Sequence, residues 1–257
     1  MDGLIGHSGY VGQSLLRQRG FDRLYRSTDI GTIRGESFDL LVVSGAPAAK
    51  WIAERDPEAD HALLSGLADH LDQVTAREVV LISTVDVFAD SRGMDEDAPA
   101  AAASPYGRNR LWFEERVRDR FPGVLVVRLP GLVGPGLRKN VIFDLRNDNN
   151  LGAIDARGIF QFYPMVNLWT DLRTALGAGL ELVHLTAEPV SVAAVAQEGF
   201  GRAFANEVEG RLPARYDLRS KHAALFGGQG DYQYNRRESL MAIRAYAQSE
   251  PPSSPLA

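Results

Sequence analysis

The sequence contains no cysteine, and this absence excludes several kinds of chemistry. Disulfide bonds, thiolate metal sites and cysteine nucleophiles all require a thiol. The five histidines show no metal-binding spacing, so the sequence predicts no metal site. A chain without disulfides fits a reducing compartment, and the expected localisation is cytoplasmic.

Long hydrophobic runs and long blocks of one charge are also missing. No segment approaches the roughly 20 apolar residues of a membrane-spanning helix, and the first apolar run, residues 3–5, is far too short for a signal peptide. With 33 acidic and 28 basic residues the net charge is −5. The sequence therefore predicts neither a membrane nor a nucleic-acid partner, and it favours a protein that acts on a small molecule.

Short apolar segments alternate with longer amphipathic ones along the chain. The short segments are apolar at nearly every position, which is typical of parallel strands covered by helices on both faces. They occupy residues 3–6, 24–26, 39–45, 78–84, 124–129 and 180–185. Two helical stripes lie between them, formed by Leu63, Leu64, Leu67 and Leu71 and by Phe113, Val117 and Phe121. This alternation predicts a doubly wound α/β fold around a parallel sheet.

Three glycines follow the first predicted strand. The stretch GLIGHSGYVG places Gly6, Gly9 and Gly12 between that strand and a helix. In a dinucleotide-binding turn, such glycines provide a tight turn, close approach of the backbone to a pyrophosphate and close packing of helix against strand. The strand before them and the helix after them favour this interpretation over an ordinary turn.

The end of the second predicted strand bears on the choice of nucleotide. An acidic residue there would hold the ribose hydroxyls of NAD, whereas a basic one suits the 2′-phosphate of NADP. The chain has Arg26 and Ser27 at this place, which favours NADP. Asp29 follows closely and keeps NAD open, and Arg26 as a solvated strand-end residue is the alternative.

A tyrosine and an arginine share one face of a predicted helix. Ser104 suits the N-cap of this helix and Pro105 its first position, which places Tyr106 and Arg110 one turn apart on the same face. A neighbouring cation lowers the pKa of a tyrosine by favouring the phenolate. The pair therefore has the chemistry of a proton-transfer site, and Thr84, at the end of a predicted strand, lies in the region where ligands bind on such sheets.

In their order and spacing these motifs resemble the extended short-chain dehydrogenase/reductase family, which comprises NAD(P)-dependent epimerases, dehydratases and reductases of nucleotide sugars. The resemblance rests on Gly6-x-x-Gly9-x-x-Gly12, on Thr84 followed by VDVF, on Tyr106-x-x-x-Arg110 and on RLPGLVGPG at 128–136. It implies a Rossmann domain at 1–136 and a small C-terminal substrate lobe at 137–248, part of which can return to the sheet. The Pro/Ser-rich tail at 249–257 is expected to be disordered.

The same resemblance implies a set of site residues. Tyr106 would be the catalytic acid/base, assisted by Thr84 and Arg110. The residues implied around the cofactor are Gly6, Gly9, Tyr10, Val11, Gly12, Arg26, Ser27, Ser44, Gly45, Ala46, Arg110, Pro130 and Leu132. Candidates for substrate contact are Asp86, Arg138, Asn140 and Tyr163. Each of these four has an ordinary alternative, as a solvated loop residue, part of a basic surface loop or a core aromatic.

Two departures from the family bear on the reaction. Arg110 stands where the family has lysine, and an arginine keeps the charge but does not deprotonate. Lys50 is a candidate substitute cation, although a helix-surface lysine is the commoner interpretation. Val85 and Asp86 stand where the sugar dehydratases have an acid and a base, which disfavours dehydration and leaves reduction, oxidation or epimerisation.

The sequence therefore predicts an NADP-dependent oxidoreductase or epimerase, with NAD possible, acting on a sugar that is linked to a nucleotide. The alternative is a dinucleotide-binding protein with impaired turnover that serves as a sensor or scaffold. The family tends to dimerise through two helices, represented here by residues 60–72 and 105–121, so a homodimer is a further expectation.

Overall fold

The structure is a computed structural model that describes residues 1–252. Residues 253–257, the greater part of the predicted tail, lie outside the described residues. The chain forms two compact units. Unit 1 contains residues 1–91, 96–129 and 169–183, and unit 2 contains residues 92–95, 130–168 and the chain from 184 onward.

Short strands and helices alternate through the described residues. The strands are β1 (Asp2–Ile5), β2 (Arg23–Tyr25), β3 (Ser37–Val43), β4 (Thr75–Thr84), β5 (Leu125–Leu129), β6 (Gly131–Val133), β7 (Ile159–Phe160), β8 (Phe162–Pro164), β9 (Leu182–His184) and β10 (Val190–Ser191). The helices are α1 (Tyr10–Leu16), α2 (Lys50–Arg55), α3 (Pro57–Leu71), α4 (Pro105–Arg120), α5 (Val141–Asn147), α6 (Leu168–Gly177), α7 (Val192–Ala194) and α8 (Arg236–Ser249).

A six-stranded sheet forms the centre of unit 1, in the order β2-β1-β3-β4-β5-β9. Its neighbours from β2 through β5 pair in parallel. Leu41, Val42 and Val43 of β3 have no exposed surface, because helices cover both faces of the sheet. The predicted doubly wound α/β fold is confirmed, and each of the six predicted strand segments contributes a strand to this sheet.

The order of the strands reverses at β1. The chain leaves β1 to one side for β2 and returns to its other side for β3. Backbone hydrogen bonds join the carboxyl ends of these three strands. The amide of Gly6 donates to the carbonyl of Tyr25 at 2.8 Å, and the amide of Ser44 donates to the carbonyl of Ile5 at 3.0 Å. This is the topological switch point at which open α/β sheets bind ligands.

Helix α3 buries a face that differs slightly from the predicted stripe. Its buried residues are Asp60, Leu64, Ala68 and Leu71, which recur at helical spacing. Leu63 is 62% exposed, so its predicted place in the stripe was wrong. The exposure of Leu63 follows from the geometry of the helix, because adjacent residues are rotated by about 100° and Leu63 cannot share the face of Leu64.

Helix α4 begins where the sequence predicted. The hydroxyl of Ser104 accepts a hydrogen bond from the amide of Gly107 at 3.1 Å, and Pro105 is the first helical residue. Phe113 and Val117 are buried against the sheet, as expected. The cap and the apolar face therefore fix which residues of α4 point inward.

Unit 2 is built from smaller pieces. Strands β6 and β8 form one two-stranded parallel sheet, and β7 and β10 form an antiparallel one. Unit 1 gives way to unit 2 after residue 129, whereas the sequence placed this boundary after 136, and residues 169–183 belong to unit 1. Helix α8 continues to Ser249, the first residue of the predicted tail. None of the helices in the described part of the chain has the length and apolar character that crossing a bilayer requires.

Candidate active site

The glycine-rich turn after β1 is packed so closely that two of its glycines have no room for a side chain. Gly6 has φ +84°, and a Cβ on it would lie 2.4 Å from the carbonyl oxygen of Ser44. A Cβ on Gly12 would lie 2.3 Å from the carbonyl oxygen of Gly6. Gly9 is different, since an added Cβ would meet nothing closer than 3.4 Å. The turn thus locks α1 against β1 and leaves Gly9, the N-cap of α1, open.

The other cofactor candidates of unit 1 surround this turn. Tyr10 and Val11 open α1 and are half-buried. The hydroxyl of Ser44 donates to the carbonyl of Ile5 at 2.7 Å, which ties the end of β3 to β1. A Cβ on Gly45 would lie 2.9 Å from the side chain of Ile5, so this position also needs glycine. Ala46 packs against the core beside it.

Arg26 and Ser27 are exposed just beyond β2. The guanidinium of Arg26 lies 3.6 Å from the carboxylate of Asp29, and the backbone amide of Arg26 donates to the same carboxylate at 2.7 Å. Arg26 and Asp29, the two residues that bear on the choice between NADP and NAD, therefore lie together just beyond β2. Asp29 competes with a bound phosphate for the charge of Arg26.

Three polar side chains meet at the end of β4. Thr84 is the last strand residue, and its hydroxyl accepts from the amide of Asp86 at 3.2 Å and lies 3.5 Å from Oδ2 of that residue. The ammonium of Lys50, at the start of α2, donates to Oδ1 of Asp86 at 2.8 Å. Lys50 is therefore part of a cluster with Asp86 and Thr84. Val85, in contrast, is buried in the core.

Tyr106 lies in the first turn of α4 and is only 7% exposed. The next residue, Gly107, is pressed against the loop after β4, because a Cβ there would lie 2.0 Å from the carbonyl oxygen of Asp86. Burial raises the pKa of Tyr106, while Arg110 works in the lowering direction. Arg110 thus contributes as the sequence predicted, but the net shift of the pKa is upward.

Arg110 is held in a buried ion pair. Its guanidinium makes two hydrogen bonds to Asp60 of α3, at 2.8 and 2.9 Å, and a third to the carbonyl of Pro47 at 2.5 Å. The same group lies 4.3 Å from the ring centroid of Tyr106. Burial alone would raise the pKa of Asp60, but the hydrogen bonds from Arg110 and Asn109 outweigh it and the pKa is lowered.

A second buried ion pair lies one turn further along α4 and was missed by the sequence analysis. Arg128 of β5 donates to both carboxylate oxygens of Glu114, at 3.1 and 2.7 Å, and Ser83 donates to the same carboxylate at 2.5 Å. Both charged residues are at most 4% exposed. An arginine within an otherwise apolar strand was a usable signal, since a buried charge needs a partner.

The remaining candidates belong to unit 2. Pro130 is buried, and Leu132 of β6 is half-buried and pairs with Tyr163 of β8. Tyr163 has no exposed surface and packs its ring edge against Tyr234. The contacts of Pro130 and Leu132 with the cofactor, and of Tyr163 with the substrate, remain predictions.

Two further candidates of unit 2 follow β6. The side chain of Asn140 caps α5 by accepting from the amide of Ile142 at 2.9 Å, and its amide nitrogen donates to the carbonyl of Leu132 at 2.9 Å. Both ends of this side chain thus have local partners. Arg138 is exposed. A substrate contact by either residue likewise remains a prediction.

Within unit 1 the predicted residues gather along one edge of the sheet. The turn after β1, the segment 44–46 after β3 and the Thr84 cluster after β4 follow parallel strands and so share the carboxyl edge. The first turn of α4 packs on that cluster. In the part of the chain that the structure describes, no three His, Asp or Glu residues form a group that could hold a metal ion.

Solved structures share this fold over nearly the whole chain. A dTDP-4-dehydrorhamnose reductase from Bacillus anthracis in complex with NADP is 17% identical with a TM-score of 0.75, covering 95% of this chain and 96% of its own. RMD from Pseudomonas aeruginosa, complexed with NADPH, is 17% identical with a TM-score of 0.72, covering 96% and 99%. A UDP-galactose 4-epimerase is 19% identical with a TM-score of 0.72, covering 96% and 98%.

No family model and no curated protein sequence matches the chain. Identities below a fifth establish the fold and nothing finer. The resemblance that the sequence motifs indicated is thereby confirmed at the level of the fold, a Rossmann-type α/β fold that this chain has in common with nucleotide-sugar reductases and epimerases.

Proposed function

We propose that the protein is a nicotinamide-dependent reductase or epimerase that acts on a sugar linked to a nucleotide. The observation that carries the proposal is the packing of the first turn of α4, which contains Tyr106, against the loop that holds Thr84 and Asp86, at the sheet edge that also holds the glycine-rich turn. An acid/base group beside a dinucleotide turn is the arrangement that proton-coupled hydride transfer requires. The reductases and the epimerase of the same fold support it.

The proposed cofactor is NADP, with NAD as the alternative. Gly6, Gly9 and Gly12 would hold the pyrophosphate, since the close packing of the first and third glycines leaves the second one open. Arg26 is exposed and would meet the 2′-phosphate. Two structures of the same fold are described as complexes with NADPH or NADP, which supports the same choice here. When bound, the nicotinamide supplies or accepts the hydride.

Residues of the chain itself would carry out the proton transfer. Burial raises the pKa of Tyr106, so the phenol is protonated at neutral pH and has a proton to give to the oxygen of a ketone. Thr84 would hydrogen-bond the same oxygen. This favours reduction over oxidation. Val85 is buried and has no acidic group, so dehydration lacks its acid.

Other parts of the proposal concern substrate and assembly. Arg138, Asn140 and Tyr163 stay candidates for substrate contact, and the exposed Arg138 suits a diphosphate best. A homodimer through α3 and α4 is supported by the exposure of Leu63 on α3. A chain without cysteine suits the proposed cytoplasmic localisation.

The second candidate function is a dinucleotide-binding sensor or scaffold. It is favoured by one observation, the commitment of the Arg110 guanidinium to Asp60 in a buried pair. A cation held in this way cannot take part in a proton relay. A threonine and a tyrosine hydroxyl at the same edge of the sheet have no evident purpose in such a protein, which ranks this candidate second.

Incubation of the purified protein with NADPH or NADH and a panel of nucleotide-linked keto-sugars distinguishes the two candidates. As a reductase, the proposed enzyme oxidises the nicotinamide, lowers its absorbance and yields a reduced sugar. As an epimerase, it changes the sugar while the absorbance stays constant. A sensor binds the cofactor, detected by nicotinamide fluorescence, and leaves both the absorbance and the sugar unchanged.

A further inference from the structure

The buried phenol of Tyr106 raises the question of how it regains a proton after each turnover. Under the proposed function, Tyr106 gives a proton to the substrate oxygen, yet only 7% of this residue is exposed. Its neighbour Arg110 is 4% exposed, and both terminal nitrogens of that guanidinium already donate to Asp60 or Pro47. An arginine does not deprotonate in proteins. Arg110 therefore offers no route for protons from water.

A different cation connects this edge of the sheet to solvent. The side chain of Lys50 is 40% exposed, and its ammonium donates to Oδ1 of Asp86 at 2.8 Å. The other carboxylate oxygen of Asp86 lies 3.5 Å from the hydroxyl of Thr84. Solvent, lysine, carboxylate and hydroxyl thus form one continuous series, each member of which can both give and take a proton.

The same series lies against the start of α4. The backbone of Asp86 leaves no space for a side chain at Gly107, the residue that follows Tyr106. The negative charge of Asp86 also works in the direction that raises the pKa of Tyr106, behind burial and the opposing effect of Arg110. Tyr106 and Asp86 are therefore close in space.

The choice of residue at position 50 is also unusual for this chain. Only three of its 28 basic residues are lysines, namely Lys50, Lys139 and Lys221. Arginine provides the cation nearly everywhere else, including position 110. A lysine differs from an arginine chiefly in that its amine can lose a proton and regain it.

We propose that Lys50 and Asp86 form a proton-exchange pair that restores the proton of Tyr106 from solvent, while Arg110 only positions Tyr106. This inference rests on the proposed function. In the reduction, the phenol O–H bond of Tyr106 breaks and an O–H bond forms on the substrate. The phenol O–H bond forms again with the hydroxyl proton of Thr84, which Asp86 replaces with a proton from Lys50.

Lys50 then takes a proton from water, so one proton passes from solvent to Tyr106 in each turnover. The electron pair of the hydride comes from the nicotinamide and is not carried by this series. The role requires an amine at position 50 that can deprotonate, whereas a merely electrostatic role requires only a positive charge there.

The first test needs no turnover. Because the chain has three lysines, the protein labelled with 13C at the lysine Cε atoms gives three signals by NMR, and Lys50→Arg identifies one of them. We expect Asp86→Asn to move this signal and to leave the other two unchanged. A Lys50 signal that does not respond to Asp86→Asn overturns the pair.

The second test separates proton exchange from charge. With NADPH and a keto-sugar that the wild-type protein reduces, we expect Lys50→Arg and Lys50→Ala both to lower kcat at least about tenfold at unchanged NADPH affinity, because arginine cannot release a proton. Ethylamine in the buffer should restore the Lys50→Ala protein, and Lys221→Arg should leave all constants at wild-type values.

The possible results have distinct meanings. A Lys50→Arg protein with wild-type kcat, or a Lys50→Ala protein that ethylamine does not restore, overturns the proton-exchange pair and leaves the proposed function intact. A wild-type protein that reduces none of the keto-sugars overturns the proposed reduction, and the proton-exchange role falls with it, whatever the NMR signals of the lysines indicate about contact with Asp86.

Discussion

Tyr106 combines two features that pull its pKa in opposite directions. Burial of the phenol disfavours the phenolate, and the guanidinium of Arg110 above the ring favours it. Burial has the larger effect, so Tyr106 is protonated at neutral pH. In this state the phenol has a proton to give, which its proposed role in ketone reduction requires.

Tyr106→Phe is the most direct change at the residue scale. It removes the hydroxyl and keeps the buried ring, so we expect kcat to fall by roughly 10²- to 10⁴-fold, the usual contribution of a general acid. NADPH affinity, measured by nicotinamide fluorescence, should change little. A Tyr106→Phe protein with nearly normal kcat would remove Tyr106 from the proposed chemistry.

Arg26→Ala tests the nucleotide choice. If Arg26 meets the 2′-phosphate, its loss should weaken the binding of NADPH roughly tenfold. This is the lower end of the range of about 1.5–3 kcal/mol for a charge-assisted hydrogen bond, because the site is exposed. NADH should bind as before. Arg23→Ala, at the opposite end of β2, is the matched control. Equal losses for both nucleotides in the Arg26→Ala protein would contradict the assignment.

At the scale of the elements, α4 is fixed by buried charges on two sides. Arg110 joins it to α3 through Asp60, and Glu114 joins it to β5 through Arg128. Burying charges costs free energy, and once a pair is buried, the loss of one partner leaves the other charge uncompensated. Because Tyr106 lies in the first turn of the same helix, its position relative to Thr84 depends on these two pairs.

Asp60→Ala should destabilise the protein by about 3–5 kcal/mol, since it leaves the guanidinium of Arg110 buried without its partner. Asp72→Ala is a matched control. Asp72, just beyond the end of α3, pairs with Arg116 of α4 at the surface, where an ion pair contributes about 0–1 kcal/mol. Urea denaturation of both proteins measures their free energies of unfolding. Equal losses of stability would show that the buried pair contributes no more than the surface pair.

The pKa of Asp60 gives this stabilisation a pH dependence. Its pKa is lowered in the folded protein, so its contribution is present at neutral pH. The contribution is lost below about pH 4, as the pH falls through the lowered pKa. The stability difference between wild type and Asp60→Asn should therefore shrink in acid. A difference that stays constant down to pH 3 would contradict the pair's proposed electrostatic role.

Gly107→Ala tests the contact between α4 and the loop after β4. The added methyl group would overlap the backbone of Asp86, so we expect the first turn of α4 to shift, with a lower melting temperature and a fall in kcat of roughly tenfold or more. Gly66→Ala in α3 has nothing within 4 Å and should stabilise the protein by about 0.5–1 kcal/mol. Wild-type activity in the Gly107→Ala protein would mean that the contact does not position Tyr106.

The sequence predicted those features that depend on local patterns. Apolar runs marked all six strands of the sheet, and Ser104 with Pro105 marked the start of α4. The pair of Asp60 and Arg110 joins residues that are 50 positions apart, and its existence depends on the packing of two helices. Local periodicity carries no such information. The strands of unit 2 are two or three residues long, too short for a periodic signal.

At the scale of the whole molecule, the fold limits the candidate functions but does not decide between reduction and epimerisation. The same architecture accommodates reductases and epimerases among the solved structures, so the reaction must be argued from the residues at the sheet edge. The net charge of −5 gives no reason to expect a polyanionic partner. A small, negatively charged substrate would instead depend on local cations, of which Arg138 is the proposed example.

The central claim is that hydride passes from NADPH to a nucleotide-linked keto-sugar at the edge that carries Tyr106. It is tested most directly with NADPH that carries deuterium at the transferable position and a nucleotide-linked keto-sugar, followed by mass spectrometry of the product. We predict a reduced sugar that carries the deuterium, formed by the wild-type protein and nearly absent with Tyr106→Phe. Bound cofactor with no deuterium in any sugar would contradict the claim.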